Sequence, residues 1–183
     1  VNSNPLGVTK IFIGLDLQAA VVMAQKDFYQ QLRRHGVQVK FIVYDLLCIL
    51  MPQHFVEGGT KGHIRWLEVV AESDGVVCIS KAVADDFDNW MKGYSPERLR
   101  PFNISWFHLG GDIENSMPTQ GIPSDACKVL KSIQDHQSFL MVGTIEPRKG
   151  HAETLAAIEH LWADDIDVCL VIVGKQGWMV EEL

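Results

Sequence analysis

The chain has 183 residues, 47% of them hydrophobic and 21% charged, with 23 acidic against 16 basic side chains and a net charge of −7. That much apolar surface can form a core, which excludes disorder as the main state; a dedicated nucleic-acid binder would carry the opposite sign or a long basic stripe, and the sequence has neither. The length fits one ordinary domain or two incomplete ones.

No run of about 18 apolar residues occurs, so no transmembrane segment is expected. The longest candidate, Phe41 to Pro52, carries Asp45. Val1 to Gly7 has neither the charged nor the apolar region of a signal peptide. The chain starts with Val rather than Met, as a processed product or a piece of a longer reading frame does. Cys48, Cys78, Cys127 and Cys169 form no CxxC pair, and three lie in strongly apolar runs. They read as small buried hydrophobes in a reducing compartment, which points to the cytoplasm. The seven histidines are scattered, and His151 and His160 lack an HExxH setting, so no metal site is expected.

Lys10 to Leu17 (KIFIGLDL) reads as a buried strand. Gln18 to His35 reads as one helix with Val21, Ala24, Phe28 and Leu32 at helical spacing; Arg33, Arg34 and His35 suit its carboxyl end, and Gly36 stops it. Val37 to Tyr44 is a second strand, followed by Asp45 and a loop to Gly59. Thr60 to Ser73 is a helix, Gly75 to Ile79 a short strand, and Lys81 to Met91 a helix that Ser80 can cap. Asn103 to His108 closes the series as a strand. Short apolar runs alternating with helices predict a parallel sheet with helices on both sides.

Gly110 to Val129, rich in Gly, Pro, Ser, Thr and Asp, reads as a linker. The alternation then restarts with a strand at Phe139 to Thr144, a helix at His151 to Trp162, a strand at Val168 to Gly174, and a helix beginning at Met179. One β-α-β unit cannot cover its own sheet, so this second domain is expected to be incomplete.

The most informative segment is VGTIEPRKGH, Val142 to His151. It leaves a strand, turns at Gly143 and enters a helix near Gly150. Ligands of open parallel sheets bind at the carboxyl ends of strands. A helix start offers unpaired N–H groups and a partial positive charge, which suit a phosphate. Arg148 and Lys149 add two cations there, and the glycines allow close backbone approach. On spacing alone, a diphosphate cradle and a solvated turn both fit. The segment is neither a P-loop nor a GxGxxG dinucleotide fingerprint.

VGTIEPRKGH, then LAAIEHLW, then VCLVIVGKQGW resemble the start of the C-terminal domain of retaining family 4 glycosyltransferases of the GT-B fold. More narrowly, they resemble the mannosyltransferases that build bacterial polysaccharides such as O-antigen. FIVYDLL with Pro52 and Phe55, DGVVCISKAVADDF and SWFHLGGDI resemble the second half of the N-terminal domain in the same order. The resemblance implies an α/β protein of two Rossmann-like parallel-sheet domains, both incomplete in this chain: the acceptor-side domain over 1–112, a linker over 113–137, and the start of the donor domain over 138–183.

It also implies a site. Lys149 matches the lysine that holds the donor diphosphate, with Arg148 beside it as a second catalytic cation. Gly143 and Thr144, which stands where many relatives have Arg, together with Gly174 and Lys175, match donor-binding positions. Asp45 either faces the cleft or caps its loop. Ser80 is a cleft residue or a helix cap. Tyr44 replaces a His common in relatives, and Cys48 a Pro. The family's acidic pair and Gly-rich acceptor loop lie in parts that this chain does not hold.

The implied reaction is retaining transfer of a hexose, mannose from GDP-mannose, to a growing glycan or lipid-linked glycan. The implied enzyme has no metal or other cofactor and no nucleic-acid partner, and it works in the cytoplasm, with peripheral association at the inner membrane face. Two alternatives stay open: an inactive nucleotide-binding fragment, and another nucleotide-sugar enzyme of the same fold, such as an epimerase.

Overall fold

A computed structural model of the chain describes residues 9–15, 17–94, 96, 98, 100–111 and 124–181. The described residues form two compact units, one within Val1–Pro52 and Glu57–Gly111, the other within Gln53–Val56 and Asp112–Leu183.

The first unit is a parallel four-stranded sheet in the order β1 (Ile11–Gly14), β2 (Gln38–Val43), β3 (Gly75–Cys78), β4 (Asn103–Trp106). The register puts Phe12 beside Val39, Phe41 beside Val76, and Val43 beside Cys78. That face is buried under α1 (Ala19–Ala24), α2 (Lys26–Arg34), α4 (Gly59–Ala71) and α5 (Lys81–Gly93); α3 (Leu47–Leu50) is a single turn beside α4. Val22, Tyr29, Trp66, Leu67, Val70, Ala84 and Phe87 supply the helical half of the core. Tyr29 meets Phe41 edge-on, with ring centroids 5.1 Å apart. Phe41 also dictates Gly14, where an added Cβ would lie 2.5 Å from its ring.

Helices on both sides of the sheet were expected from the apolar runs, and here the structure differs. Among the described residues the opposite face is open at β1, where Ile11 is 51% and Ile13 46% exposed, and β1 stands at the end of the strand order rather than buried within the sheet. The strand order supplies the reason. When each parallel strand adds to the same side of the last, right-handed crossovers return every helix to one face.

Other boundaries follow local chemistry. The expected single helix over 18–35 is two, parted at Gln25 (φ −101°, ψ 16°). Gly36, at φ +80°, ends α2 in a Schellman turn: Val37 N–H donates to the Leu32 carbonyl and Gly36 N–H to that of Arg33, both at 3.0 Å. Asp74 joins three elements. Its Oδ2 accepts from Val39 N–H at 2.9 Å, its Oδ1 from Arg33 Nε at 3.1 Å, and its carbonyl from Asn103 N–H at 3.2 Å.

The second unit pairs β5 (Gln137–Val142) with β6 (Val168–Val173), in parallel, and adds α6 (Ala126–Gln134) and α7 (His151–Ala163). Helix α6 occupies part of the stretch expected to be linker; 112–123, the rest of the Gly- and Pro-rich stretch beyond Gly111, lies outside the described residues. Its Val129, Leu130 and Ile133 recur at helical spacing among polar residues, which composition alone read as linker. The helix expected from Met179 does not form over 179–181. Met179 sits at φ +54°, and a residue with a side chain in that region breaks a right-handed helix. The cysteines do not behave alike: Cys78 is buried, which pushes its thiol up to about 11, whereas Cys127 is exposed on α6. Among the described residues, no helix is long and apolar enough to cross a membrane.

Candidate functional site

The carboxyl ends of β5 and β6 form a corner of main chain. Gly143 continues the ladder by donating to Val173 O at 2.9 Å, with φ +149°, a backbone conformation that favours glycine. Gly174 lies directly against it, and a Cβ there would collide with the Gly143 carbonyl oxygen. Ile145 N–H donates to Lys175 O, and Gly177 N–H to Ile145 O, each at 2.9 Å, so the two loops are laced together beyond the strands. Gly143, Thr144, Gly174 and Lys175 therefore share one place, with the Thr144 and Lys175 side chains exposed.

Glu146 follows in extended conformation, and Pro147–Lys149 makes a 3-10 turn closed by Lys149 N–H to Glu146 O at 3.0 Å. Gly150, left-handed at φ +70°, is the N-cap of α7. It has no side chain to cap with, so the first-turn N–H groups that a helix cannot pair internally remain available at the corner. Thr154 bonds back to Gly150 O through its N–H at 3.0 Å and its Oγ1 at 2.8 Å, which fixes the start of the helix.

The two expected cations are placed differently. Lys149 is exposed. Arg148 turns inward and donates from Nη2 to Glu146 Oε1 at 2.6 Å. Glu146 is 2% exposed, so a buried carboxylate answers the guanidinium's charge. Lys149 and Lys175 are then the corner's solvent-facing cations, against Glu153 in the first turn of α7. The pair has unused capacity: Glu146 Oε2, Arg148 Nε and His151 Nδ1 are all buried without a hydrogen-bond partner among the described residues. Glu146 and His151 also line a cavity of about 280 Å³ with Pro147, His54 and Met179. In the same unit Trp178 donates from Nε1 to His54 O at 2.9 Å and stacks on Phe55 at 6.0 Å. Glu146 and Trp178 were not singled out from the sequence, and His151 was considered there only as a metal ligand and set aside. The available signal was a carboxylate two residues before Arg148, in a segment whose following Pro fixes extended backbone.

Asp45 and Ser80 sit in the first unit, after the neighbouring strands β2 and β3. Asp45 caps its loop, with Oδ1 accepting from Leu47 N–H at 3.0 Å, and its carbonyl accepts from His63 Nε2 at 3.3 Å. Ser80 caps α5, with Oγ accepting from Val83 N–H at 3.2 Å. Both side chains are thus occupied by their own backbone. Among the described residues no group of three or more His, Cys, Asp or Glu side chains is placed to hold a metal ion.

Three curated relatives from Escherichia coli, each described as serotype-specific mannosyltransferase WbdA, are 39% identical to this chain over 178 residues, which is 94% of the chain. The chain spans only 21–22% of their length. No family model matches, and no solved structure does.

Proposed function

We propose that the chain is part of a retaining glycosyltransferase that moves a hexose from a nucleotide sugar to a growing glycan, and that the corner at Gly143–His151 holds the donor's diphosphate. The donor we propose is GDP-mannose, with a glycan or lipid-linked glycan as acceptor. The observation that carries this reading is an exposed Lys149 at an uncapped helix start, on backbone that two glycines leave bare. The similarity to mannosyltransferases over nearly the whole chain supports it.

In transfer, the bond from the anomeric carbon to a diphosphate oxygen breaks and a bond to an acceptor hydroxyl forms. Negative charge grows on the leaving diphosphate as this happens. A fixed cation and oriented N–H groups stabilise that charge more in the transition state than in the bound donor, so they raise the rate rather than only the affinity. Lys149 supplies the charge and the first turn of α7 the donors. Arg148, paired with Glu146, shapes the turn that carries Lys149.

The test is Lys149→Ala in the full-length protein. Transfer from GDP-mannose is expected to fall about 10²-fold or more, mainly in kcat. The circular dichroism spectrum should be unchanged, because the side chain is exposed. Near-normal turnover would reject the assigned role. In a thermal-shift panel of GDP, UDP and ADP, GDP alone should stabilise the protein strongly. Stabilisation by UDP instead would reject the donor, and sugar epimerisation without an acceptor would reject transfer.

A further inference from the structure

The first unit carries a second feature, at the amino ends of its strands. A cavity of about 430 Å³ opens there, within the size range of small-molecule sites. Its lining includes Arg33 and Arg34 from the end of α2, Arg98 and Arg100 from the segment before β4, and Glu72 after α4. A chain with a net charge of −7 thus gathers four guanidinium groups around one space.

Among the described residues, the protein's own groups do not balance them. Arg33 donates from Nε to Asp74 Oδ1 at 3.1 Å and from Nη1 to the Glu72 carbonyl at 2.5 Å. Arg100 lies 3.9 Å from the same Asp74 oxygen and donates from Nη2 to Arg33 O at 2.8 Å. The Glu72 carboxylate is already engaged by Lys26 at 2.8 Å. Arg98 stacks over the Phe102 ring at 4.2 Å and meets no carboxylate among the described residues. Arg34 has no hydrogen-bond or ion-pair partner among them. Among the described residues, five cations therefore face two carboxylates, Glu72 and Asp74.

Convergence of like charges at a partly desolvated site is costly unless an anion joins them. At Arg98, burial and then the charge of Arg33 push the pKa below the usual value. Guanidinium forks match phosphate oxygens in geometry as well as charge.

We propose that this cavity is a binding site for a phosphate group, separate from the donor corner. Arg33 and Arg100 form its fixed wall, held by Asp74, and Arg34 and Arg98 complete the lining that meets the ligand. The proposal does not depend on glycosyl transfer. The phosphate can come from a soluble phosphate compound or from a lipid headgroup.

The experiment uses full-length protein carrying Lys149→Ala, so that the donor corner does not contribute. Calorimetric titration with inorganic pyrophosphate is expected to show binding. Adding Arg34→Gln and Arg98→Gln should weaken it by about tenfold or more for each guanidinium lost, the equivalent of one charge-assisted hydrogen bond. Arg34→Gln alone, at an exposed side chain without a partner among the described residues, should give its share of the loss with the fold unchanged by circular dichroism. Flotation with phosphatidylglycerol vesicles, against phosphatidylcholine controls, separates the sources. Co-flotation that the two Arg substitutions abolish assigns the phosphate to a lipid, and pyrophosphate binding without flotation assigns it to a soluble compound. Neither binding, or binding that the substitutions leave unchanged, overturns the proposal.

Discussion

Glu146 illustrates how a single side chain sets the character of the corner. A carboxylate this buried is tolerable only with a partner, and Arg148 is that partner. Glu146→Gln keeps the size of the side chain but strands the guanidinium, and it should destabilise the protein by about 2 kcal/mol in urea. A double-mutant cycle with Arg148→Met should give a coupling of about 1–3 kcal/mol, and simple additivity would show that the pair does not act as a unit. His63 makes a prediction of different form. Burial holds its pKa below the ordinary 6.5, against a smaller opposing effect of its bond to the Asp45 carbonyl. The folded state therefore resists protonation more than the unfolded one does. The stabilisation is complete above pH 6.5 and is lost as the pH falls through the folded-state value. The urea midpoint should drop through that window, and His63→Gln should flatten the slope; equal slopes in the two proteins would reject the assignment.

Between elements, the decisive contact is β5 against β6 where they end. Gly174 has no room for a methyl group, because the atoms in the way are main chain and cannot rotate aside. Gly174→Ala should cost about 3 kcal/mol or prevent this unit from folding. Gly110→Ala, with nothing within 4 Å of the added carbon, is the control and should be neutral. A stable Gly174→Ala protein by thermal melting would mean that the strands can part there. In the first unit Asp74 plays the joining role, tying the end of α2 to β2 and to the start of β4 through one residue.

Across the whole molecule, the alternation of strands and helices was legible in sequence because each strand is a short apolar run and the turns carry recognisable chemistry. Gly36 stops α2 and Ser80 caps α5 as their residue types predict. Coverage of the sheet was not legible, since the order of strands decides which face the helices reach and no local pattern encodes that order. Helix α6 hid in a polar stretch, and the Met179 turn hid behind a good helix former. At the corner, Gly143, Gly150 and Lys149 were readable from spacing, whereas Gly174 came from the family resemblance. The inward turn of Arg148 was not, because it depends on the buried carboxylate two residues earlier. The arginine cavity was further from reach: Arg33 and Arg34 stand more than sixty positions before Arg98 and Arg100, and only the folded sheet brings them together.

The meeting of Gly143 and Gly174 has a practical corollary for anyone redesigning this protein. At Gly174 a side chain would meet main chain, and at Gly143 it would meet an unfavourable backbone conformation, so neither position is a lever for varying side chains. Libraries should hold both glycines constant and diversify side chains elsewhere.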